Sequence, residues 1–214
     1  RDTLYVNHFV ASEGVIDDVA GTSLRIEQVT DYPWQGDVGI SLFPEKPKPF
    51  TVKIRIPDRG ESDLYSPTPD RKGKLLVKVN GQEQGVKAAD GYVTLPRTWR
   101  RGDRIDMELP MDVMRIYCDH RVTANRGRVA LQRGPLVYNV EQIDHEHDIH
   151  DLVLPRNATL STTWKPVLLE GVMAIACNEP VFLAIPNFGR LNRGGWSQVC
   201  IVEDPQAAID GFIR

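Results

Sequence analysis

Apolar and polar residues alternate along much of this 214-residue chain, and this alternation restricts the fold more than any other feature. Successive side chains of a β-strand point to opposite faces, so a period of two marks a strand with one buried face. The pattern is clearest over residues 50–56 and recurs over residues 38–42, 75–79 and 105–109. The period therefore predicts many short, half-buried strands.

Turn signals divide the chain at regular intervals and complete this prediction. The dipeptides Asn80-Gly81 and Asp90-Gly91 tolerate the positive φ angles of tight hairpin turns. Seventeen glycines and fifteen prolines interrupt the sequence, and no window carries a convincing helical stripe. We expect an all-β, antiparallel β-sandwich fold with two packed sandwich domains, residues 1–115 and 116–214, although one chain crossing between sheets remains an alternative. The polar, proline-rich residues 58–73 are interpreted as a long hairpin loop.

The composition excludes some classes of partner. A net charge of -3 and a pI near 6.0 do not suit nucleic-acid binding, which requires a basic surface. No apolar run approaches the roughly 20 residues that span a bilayer, so we expect no membrane partner. The first five residues contain no methionine and no signal-peptide pattern, and they already look like a strand. We therefore expect a fragment of a longer protein, whose cellular location the sequence does not indicate.

Three cysteines, Cys118, Cys177 and Cys200, are far apart in the sequence. They form no CxxC pair and each has apolar or strand-like neighbours, so a disulfide framework is not expected. Buried, unreactive thiols are the simplest interpretation.

A series of short motifs, taken in order, resembles one enzyme family. Its most informative part is a predicted pair of strands, at residues 129–132 and 136–140, broken by the Gly134-Pro135 turn. The other motifs lie at residues 4–9, 30–38, 50–57, 79–81, 91–93, 99–103, 109–111, 184–186 and 192–194. Together they resemble the C-terminal β-sandwich region of glycoside hydrolase family 127, the β-L-arabinofuranosidase-like enzymes.

The resemblance implies a larger enzyme in which an (α/α)6 barrel precedes β-sandwich domains. In that family the barrel carries a cysteine nucleophile beside a zinc ion and a glutamate acid/base, and includes a Cys-Cys pair. This chain has no adjacent cysteines, so no catalytic residue and no cofactor is assigned to it, and zinc is implied only for the absent catalytic domain. We expect a non-catalytic portion that braces the barrel of the same polypeptide. The intact enzyme would hydrolyse L-arabinofuranosides or related plant-glycan sugars, and the sandwich portion is a candidate for homo-oligomer formation.

Two histidines and two tryptophans are the candidate binding residues. His145 and His147 would point the same way on a strand and could bind a metal, although a solvated loop is the simpler interpretation. Trp34, in a proline-stiffened turn, and Trp196, after a glycine-rich loop, are candidates for stacking on a glycan. The other tryptophans, at positions 99 and 164, stand at strand entries, where aromatic residues commonly cap a sandwich core.

Three further interpretations stay open. Residues 192–195 suggest an anion-binding nest, but no helix follows them to supply a dipole. The whole chain could act as an independent carbohydrate-binding module that uses Trp34 and Trp196. It could also be an adhesin-like structural sandwich with no sugar partner.

Overall fold

A computed structural model describes residues 2–56, 62–68, 75–85 and 88–204 of the chain. The strands of the first half are β1 (Thr3–Val6), β2 (Ser12–Val19), β3 (Thr22–Thr30), β4 (Asp37–Pro44), β5 (Lys48–Arg55), β6 (Tyr65–Thr68), β7 (Leu76–Val79), β8 (Gln82–Glu83), β9 (Tyr92–Trp99) and β10 (Asp103–Glu108). Those of the second half are β11 (Val113–Cys118), β12 (Arg128–Arg133), β13 (Leu136–Glu141), β14 (Val153–Leu154), β15 (Leu160–Lys165), β16 (Val172–Asn178), β17 (Val181–Pro186), β18 (Ser197–Gln198) and β19 (Cys200–Glu203).

Short 3-10 turns are the helical elements of the described residues: η1 (Thr123–Asn125), η2 (Gln142–Asp144), η3 (Ile149–Asp151), η4 (Leu168–Glu170) and η5 (Asn187–Gly189). The all-β fold class predicted from the alternation is confirmed. In the part of the chain that the structure describes, no helix is long and apolar enough to cross a membrane.

The chain divides into two compact units. The first consists of the described residues of Arg1–Gly60 and Gly73–Met111, and the second of those of Glu61–Lys72 and Asp112–Arg214. The division thus lies between Met111 and Asp112, a few residues before the boundary expected from the sequence, because β11 pairs with strands of the second unit.

The first unit contains two sheets, of three strands (β1-β5-β9) and six strands (β2-β3-β4-β10-β7-β8). Most neighbours are antiparallel, but β1 and β5 run parallel. The alternating residues of β4, β5, β9 and β10 turn their apolar side chains into a single core cluster that both sheets share. Val52, Ile54, Ile40 and Ile105 in that cluster are fully buried. Burial of these inward faces is what the period of two predicted.

Both predicted hairpin turns of the first unit are confirmed. Asn80 and Gly81 have φ angles of 51° and 79°, and Asp90 and Gly91 have 51° and 76°. Two consecutive positive φ angles match the right-handed twist of the flanking strands, and asparagine, aspartate and glycine adopt them most readily. The two turns therefore set the registers of β7 with β8 and of the chain entering β9.

The second unit is built around the hairpin of β12 and β13, which joins its strands into a single ten-stranded arrangement. Its main path is β14-β19-β12-β13-β17-β16-β15, with β11 added beside β12, β6 beside β11 and β18 beside β13. The predicted break at Gly134 is confirmed, with φ of 52°. Tyr138 and Val140 of β13 lie in the core cluster, together with Ile175 of β16 and Ile201 of β19.

The interpretation of residues 58–73 as a hairpin loop is wrong for part of the segment. Residues 58–61 and 69–73 lie outside the described residues. Residues 65–68 form β6, which pairs antiparallel with β11, so that Pro67 lies opposite Ile116. A proline in a strand is tolerated at a sheet edge because no ladder donor is needed there. The segment gave no strand signal in the sequence because it lacks alternation.

Candidate functional site

Arg193 lies at the centre of a polar cluster of the second unit. Its Nη1 donates to Oδ1 of Asp144 at 2.8 Å, and its Nη2 donates to Oδ2 of Asp144 at 2.6 Å and to Oε2 of Glu141 at 2.7 Å. The side chain of Glu141 is fully buried, at 0% exposure. We refer to Glu141, Asp144 and Arg193 as the Arg193 cluster. A buried carboxylate requires hydrogen bonds or a counter-charge, and a guanidinium fork supplies both.

The Arg193 cluster holds a surface loop in place. Besides Arg193, Glu141 accepts a hydrogen bond at 2.6 Å from the backbone N–H of Leu191. The hydrogen bonds that the guanidinium donates to Asp144 and Glu141 raise the pKa of Arg193 above its ordinary value. The backbone N–H groups of Asn192 and Gly194 donate to the backbone oxygens of Gly189 and Leu191, so residues 192–195 do not form a vacant anion nest.

Trp196 is presented at the surface by this loop. Its side chain is 71% exposed, while its backbone carbonyl accepts a hydrogen bond at 2.9 Å from the backbone N–H of Gln142. The indole meets the ring of His150 edge-on, with centroids 6.4 Å apart. A large aromatic side chain with a fixed backbone and an open face suits stacking on a flat, partly apolar ligand.

The two candidate metal ligands lie in a loop between η2 and η3 and not on a strand. Nδ1 of His145 is 2.7 Å from the backbone oxygen of Glu141, and its Nε2 accepts from the backbone N–H of Leu183 at 3.1 Å. Both ring nitrogens therefore already bind backbone groups. His147 is exposed. Across the described ranges, no group of three or more histidine, cysteine, aspartate and glutamate side chains is arranged to hold a metal ion.

The other candidate, Trp34, belongs to the first unit and is partly exposed. It follows the cis Tyr32–Pro33 peptide bond, and its backbone N–H donates to the backbone oxygen of Asp31 at 2.7 Å. Trp34 thus belongs to the first unit and Trp196 to the second.

The remaining tryptophans differ from each other. Trp99 is fully buried, and its Nε1 donates to the backbone oxygen of Phe50 at 3.0 Å, as expected for a core residue. Trp164 is 46% exposed and covers Gly171, where a Cβ would lie 2.7 Å from its Cζ2. The interpretation of Trp164 as a core cap is therefore only half right: one face packs on backbone and the other meets solvent.

The cysteines are separate thiols. Cys177 is buried, whereas Cys118 and Cys200 are partly exposed, and all three are free. Burial raises the pKa of Cys200, which disfavours its thiolate. A nucleophilic cysteine requires the opposite shift, from a metal or a nearby cation.

A second buried cluster was not found from the sequence. Glu203 accepts at Oε1 from Nη1 of Arg115 at 2.9 Å and from the hydroxyl of Tyr117 at 2.7 Å, and at Oε2 from Nε of Arg156 at 3.0 Å. Burial and the contact with Glu203 raise the pKa of Tyr117 to about 12. We refer to these four residues as the Glu203 cluster.

Sequence spacing gives no signal for either cluster, because the arginines and carboxylates lie far apart in the chain. Glu141 and Arg193 are 52 residues apart, and Arg115 and Glu203 are 88 residues apart. The available hint was local: Glu141 is a charged residue at the end of an apolar strand, where a buried carboxylate would need a distant partner.

Comparisons with known proteins agree with this architecture. Residues 3–111 match the model described as "Beta-L-arabinofuranosidase, GH127 middle domain", and residues 113–199 match the "Glycoside hydrolase family 127 C-terminal domain". A non-reducing end β-L-arabinofuranosidase of Bifidobacterium longum subsp. longum is 30% identical over 157 residues, which are 71% of this chain and 22% of that protein.

Solved structures show the same relationship. A GH127 β-L-arabinofuranosidase from Geobacillus stearothermophilus T6 superposes with a TM-score of 0.82 and 33% identity, over 95% of this chain and 34% of the other. A second GH127 β-arabinofuranosidase gives a TM-score of 0.87 and 30% identity, over 96% and 36% of the two chains. The chain thus spans about a fifth of the curated relative and about a third of each solved structure. The middle and C-terminal domains matched over nearly its whole length show that this chain belongs to glycoside hydrolase family 127.

Proposed function

We propose that this chain is the non-catalytic sandwich portion of a family 127 glycoside hydrolase, and that it braces a catalytic barrel of the same polypeptide. The observation that carries the proposal is the identity of the matched regions, which are the middle and C-terminal domains. The intact enzyme would hydrolyse L-arabinofuranosides or related sugars, in keeping with the activity named for its relatives.

The side chains of the described residues support a bracing role. A retaining glycosidase places its nucleophile and its acid roughly 5–5.5 Å apart around the bond that it cuts. Here the most deeply buried carboxylates, Glu141 and Glu203, are neutralised by arginines that tie loops to strands. Such pairs favour rigidity, because both carboxylates already accept hydrogen bonds from arginine side chains.

In this proposal, zinc is bound by the catalytic barrel and not by this chain. The donor set that the family resemblance implies includes adjacent cysteines, and the three cysteines here are far apart in the sequence and free. The described residues therefore do not fit the zinc site, and we assign no step of the reaction to a metal held by this chain.

Hydrolysis of p-nitrophenyl β-L-arabinofuranoside by the purified chain tests the first half of the proposal. We expect no turnover above the buffer rate. Turnover that co-purifies with the folded chain and disappears in the Glu141→Gln or Glu203→Gln variant would refute it.

Calorimetry tests the second half. Deleting the sandwich portion from the full-length polypeptide should lower the melting temperature of the catalytic barrel. The deletion would expose an apolar surface of the barrel that the sandwich portion normally covers. An unchanged melting temperature and an unchanged kcat in the deletion variant would contradict the bracing role.

Glycan binding at Trp196 is the second candidate function. The observation that favours it is the 71% exposure of an indole on a loop that the Arg193 cluster holds in place. Titration calorimetry with arabinan and pectic oligosaccharides should give saturable heat that Trp196→Ala abolishes. Trp164→Ala is the matched control, since Trp164 is also half-exposed but packs on Gly171. A flat titration of the unaltered chain would count against this function.

A further inference from the structure

A cleft of about 510 Å³ opens on the first unit, beside the turn that carries Trp34. This volume falls in the range of small-molecule sites, roughly 300–1,000 Å³. Its polar lining comes from the turn between β3 and β4 and from the adjacent strand β10. We refer to it as the Arg104 cleft. The residues that carry the argument are Asp31, Gln35, Asp37, Gly39, Arg104 and Asp106.

Arg104 is held in a fixed position in this cleft. Its Nε donates to Oδ1 of Asp106 at 2.6 Å, and its backbone N–H donates to Oδ1 of Asn80 at 2.8 Å. The guanidinium lies directly on Gly39, where any side chain would collide with it. Among the described residues, Nη1 and Nη2 of Arg104 have no hydrogen-bond partner. The cleft therefore presents a positioned donor pair, with its geometry set before a ligand arrives.

The acceptors of the Arg104 cleft stand on a rigid turn. The hydroxyl of Thr30 accepts from the backbone N–H of Tyr32 at 3.0 Å and donates to the backbone oxygen of Asp37 at 2.7 Å. The backbone N–H of Gln35 donates to the backbone oxygen of Asp31 at 3.1 Å. The main chain is thus fixed, while the exposed side chains of Asp31, Gln35 and Asp37 keep their hydrogen-bonding groups available within the described structure.

This arrangement matches the chemistry of a sugar. Each hydroxyl of a saccharide both donates and accepts, so it suits carboxylates that accept beside a guanidinium that donates. Val29, 56% exposed, adds an apolar surface for the C–H face of a ring. A bare metal ion is a poorer fit, because Arg104 places a positive charge at the centre and no metal-holding group occurs among the described residues.

We infer that the Arg104 cleft binds a neutral saccharide, with Arg104 donating to, and Asp31 and Asp37 accepting from, neighbouring hydroxyl groups. Only the class of ligand, a saccharide, depends on the proposed function. The site itself follows from the geometry of the first unit and requires no catalytic activity of this chain.

Amide chemical shifts of the isotopically labelled chain, titrated with methyl β-L-arabinofuranoside, test the inference. We expect saturable shifts at Asp31, Gln35, Asp37 and Arg104. The most specific variant is Gly39→Ala, whose Cβ would displace the guanidinium of Arg104 from its position and leave the strand backbone intact. It should weaken the affinity roughly tenfold or more, because charged hydrogen bonds would be lost.

Arg25→Ala is the matched control, since Arg25 is a partly exposed arginine of the same six-stranded sheet that pairs with Glu13. It should leave the affinity unchanged. Three results would overturn the inference: no saturable shift at the cleft, shifts confined to the surroundings of Trp196, or the same cleft shifts produced by spermidine or calcium chloride without sugar. None of them bears on the proposed bracing role, which is measured by the melting temperature of the full-length polypeptide.

Discussion

The two units bury carboxylates in different ways. In the first unit, the buried Asp103 accepts from neutral donors, the backbone N–H of Arg100 and the side-chain amide of Asn80. In the second unit, the buried Glu141 and Glu203 are each paired with arginine. The first unit is therefore stabilised mainly by apolar burial around local turns, and the second by apolar burial together with ion pairs between distant segments.

This difference separates contacts that only stabilise the fold from contacts that also hold a loop with exposed side chains. A carboxylate that accepts hydrogen bonds from uncharged donors closes one turn of the first unit, whereas each arginine–carboxylate cluster of the second unit fixes a loop against a strand. Loops held in this way can present exposed side chains such as Trp196 without a helix to support them. Perturbing each kind of contact should therefore affect one unit and spare the other.

The largest effect is expected in the apolar core of the first unit. Trp99→Ala removes a fully buried indole and its hydrogen bond to the backbone of Phe50. Such truncations cost about 3–5 kcal/mol. Hydrogen exchange measured by mass spectrometry should show loss of protection in β5 and β9, with β13 and β17 unaffected. Equal loss in both units would mean that they do not unfold separately.

Breaking the Arg193 cluster should come next. Arg193→Ala leaves Glu141 buried without a cation, at a cost of about 3 kcal/mol in the free energy of unfolding of the second unit. Urea denaturation should show this loss. The control is Arg25→Ala in the first unit, which removes an exposed ion pair and should cost about 0–1 kcal/mol. If the two variants lose the same stability, the contrast between buried and exposed pairs is wrong.

High pH should weaken the second unit selectively. Burial raises the pKa of Tyr138 to about 12, from 10.0, so the folded state keeps a proton that the unfolded state releases. The contribution of Tyr138 to the free energy of unfolding is fully present below pH 10. It is lost as the pH rises toward 12, by up to about 1.4 kcal/mol per pH unit. Urea unfolding between pH 9 and pH 11.5 should show this slope. Tyr138→Phe, which cannot ionise, should reduce this slope and leave the part that is due to Tyr117, whose pKa is also raised to about 12. An identical slope in that variant would reject the assignment.

The smallest effect on stability is expected at Trp196. Its side chain is largely exposed, so Trp196→Ala should change the free energy of unfolding by no more than about 0.5 kcal/mol. Thermal denaturation of this variant beside Trp99→Ala would check the contrast between an exposed and a buried indole. A loss above about 2 kcal/mol would show that Trp196 is a packing residue, and would remove the reason for placing a ligand there.

Much of the first unit could be predicted from patterns among neighbouring residues. The apolar side chains of β4 and β5 alternate, and glycines follow Asn80 and Asp90, so strands and turns could be identified from neighbouring residues alone. The parallel pairing of β1 with β5 was not evident, because strand direction depends on distant partners.

Long-range pairing limited what the sequence could predict about the second unit. The β12–β13 hairpin was identified from its apolar residues and Gly134, whereas β6 was missed because its partner strand begins 45 residues later. The two histidines suggested a metal site, yet His145 uses both ring nitrogens to join backbone segments. Which distant groups satisfy a buried polar side chain is decided by tertiary packing, and residue spacing does not encode it.

The central claim, that this chain supports the reaction without supplying a reacting group, is tested most directly in the full-length polypeptide. The measurement is kcat for p-nitrophenyl β-L-arabinofuranoside after all three cysteines of this chain, Cys118, Cys177 and Cys200, are replaced with alanine. The account predicts a kcat within about twofold of the unaltered enzyme, because none of these thiols touches the substrate. A fall of about a thousandfold or more in a variant that remains folded would contradict it, since that loss is typical of a missing nucleophile.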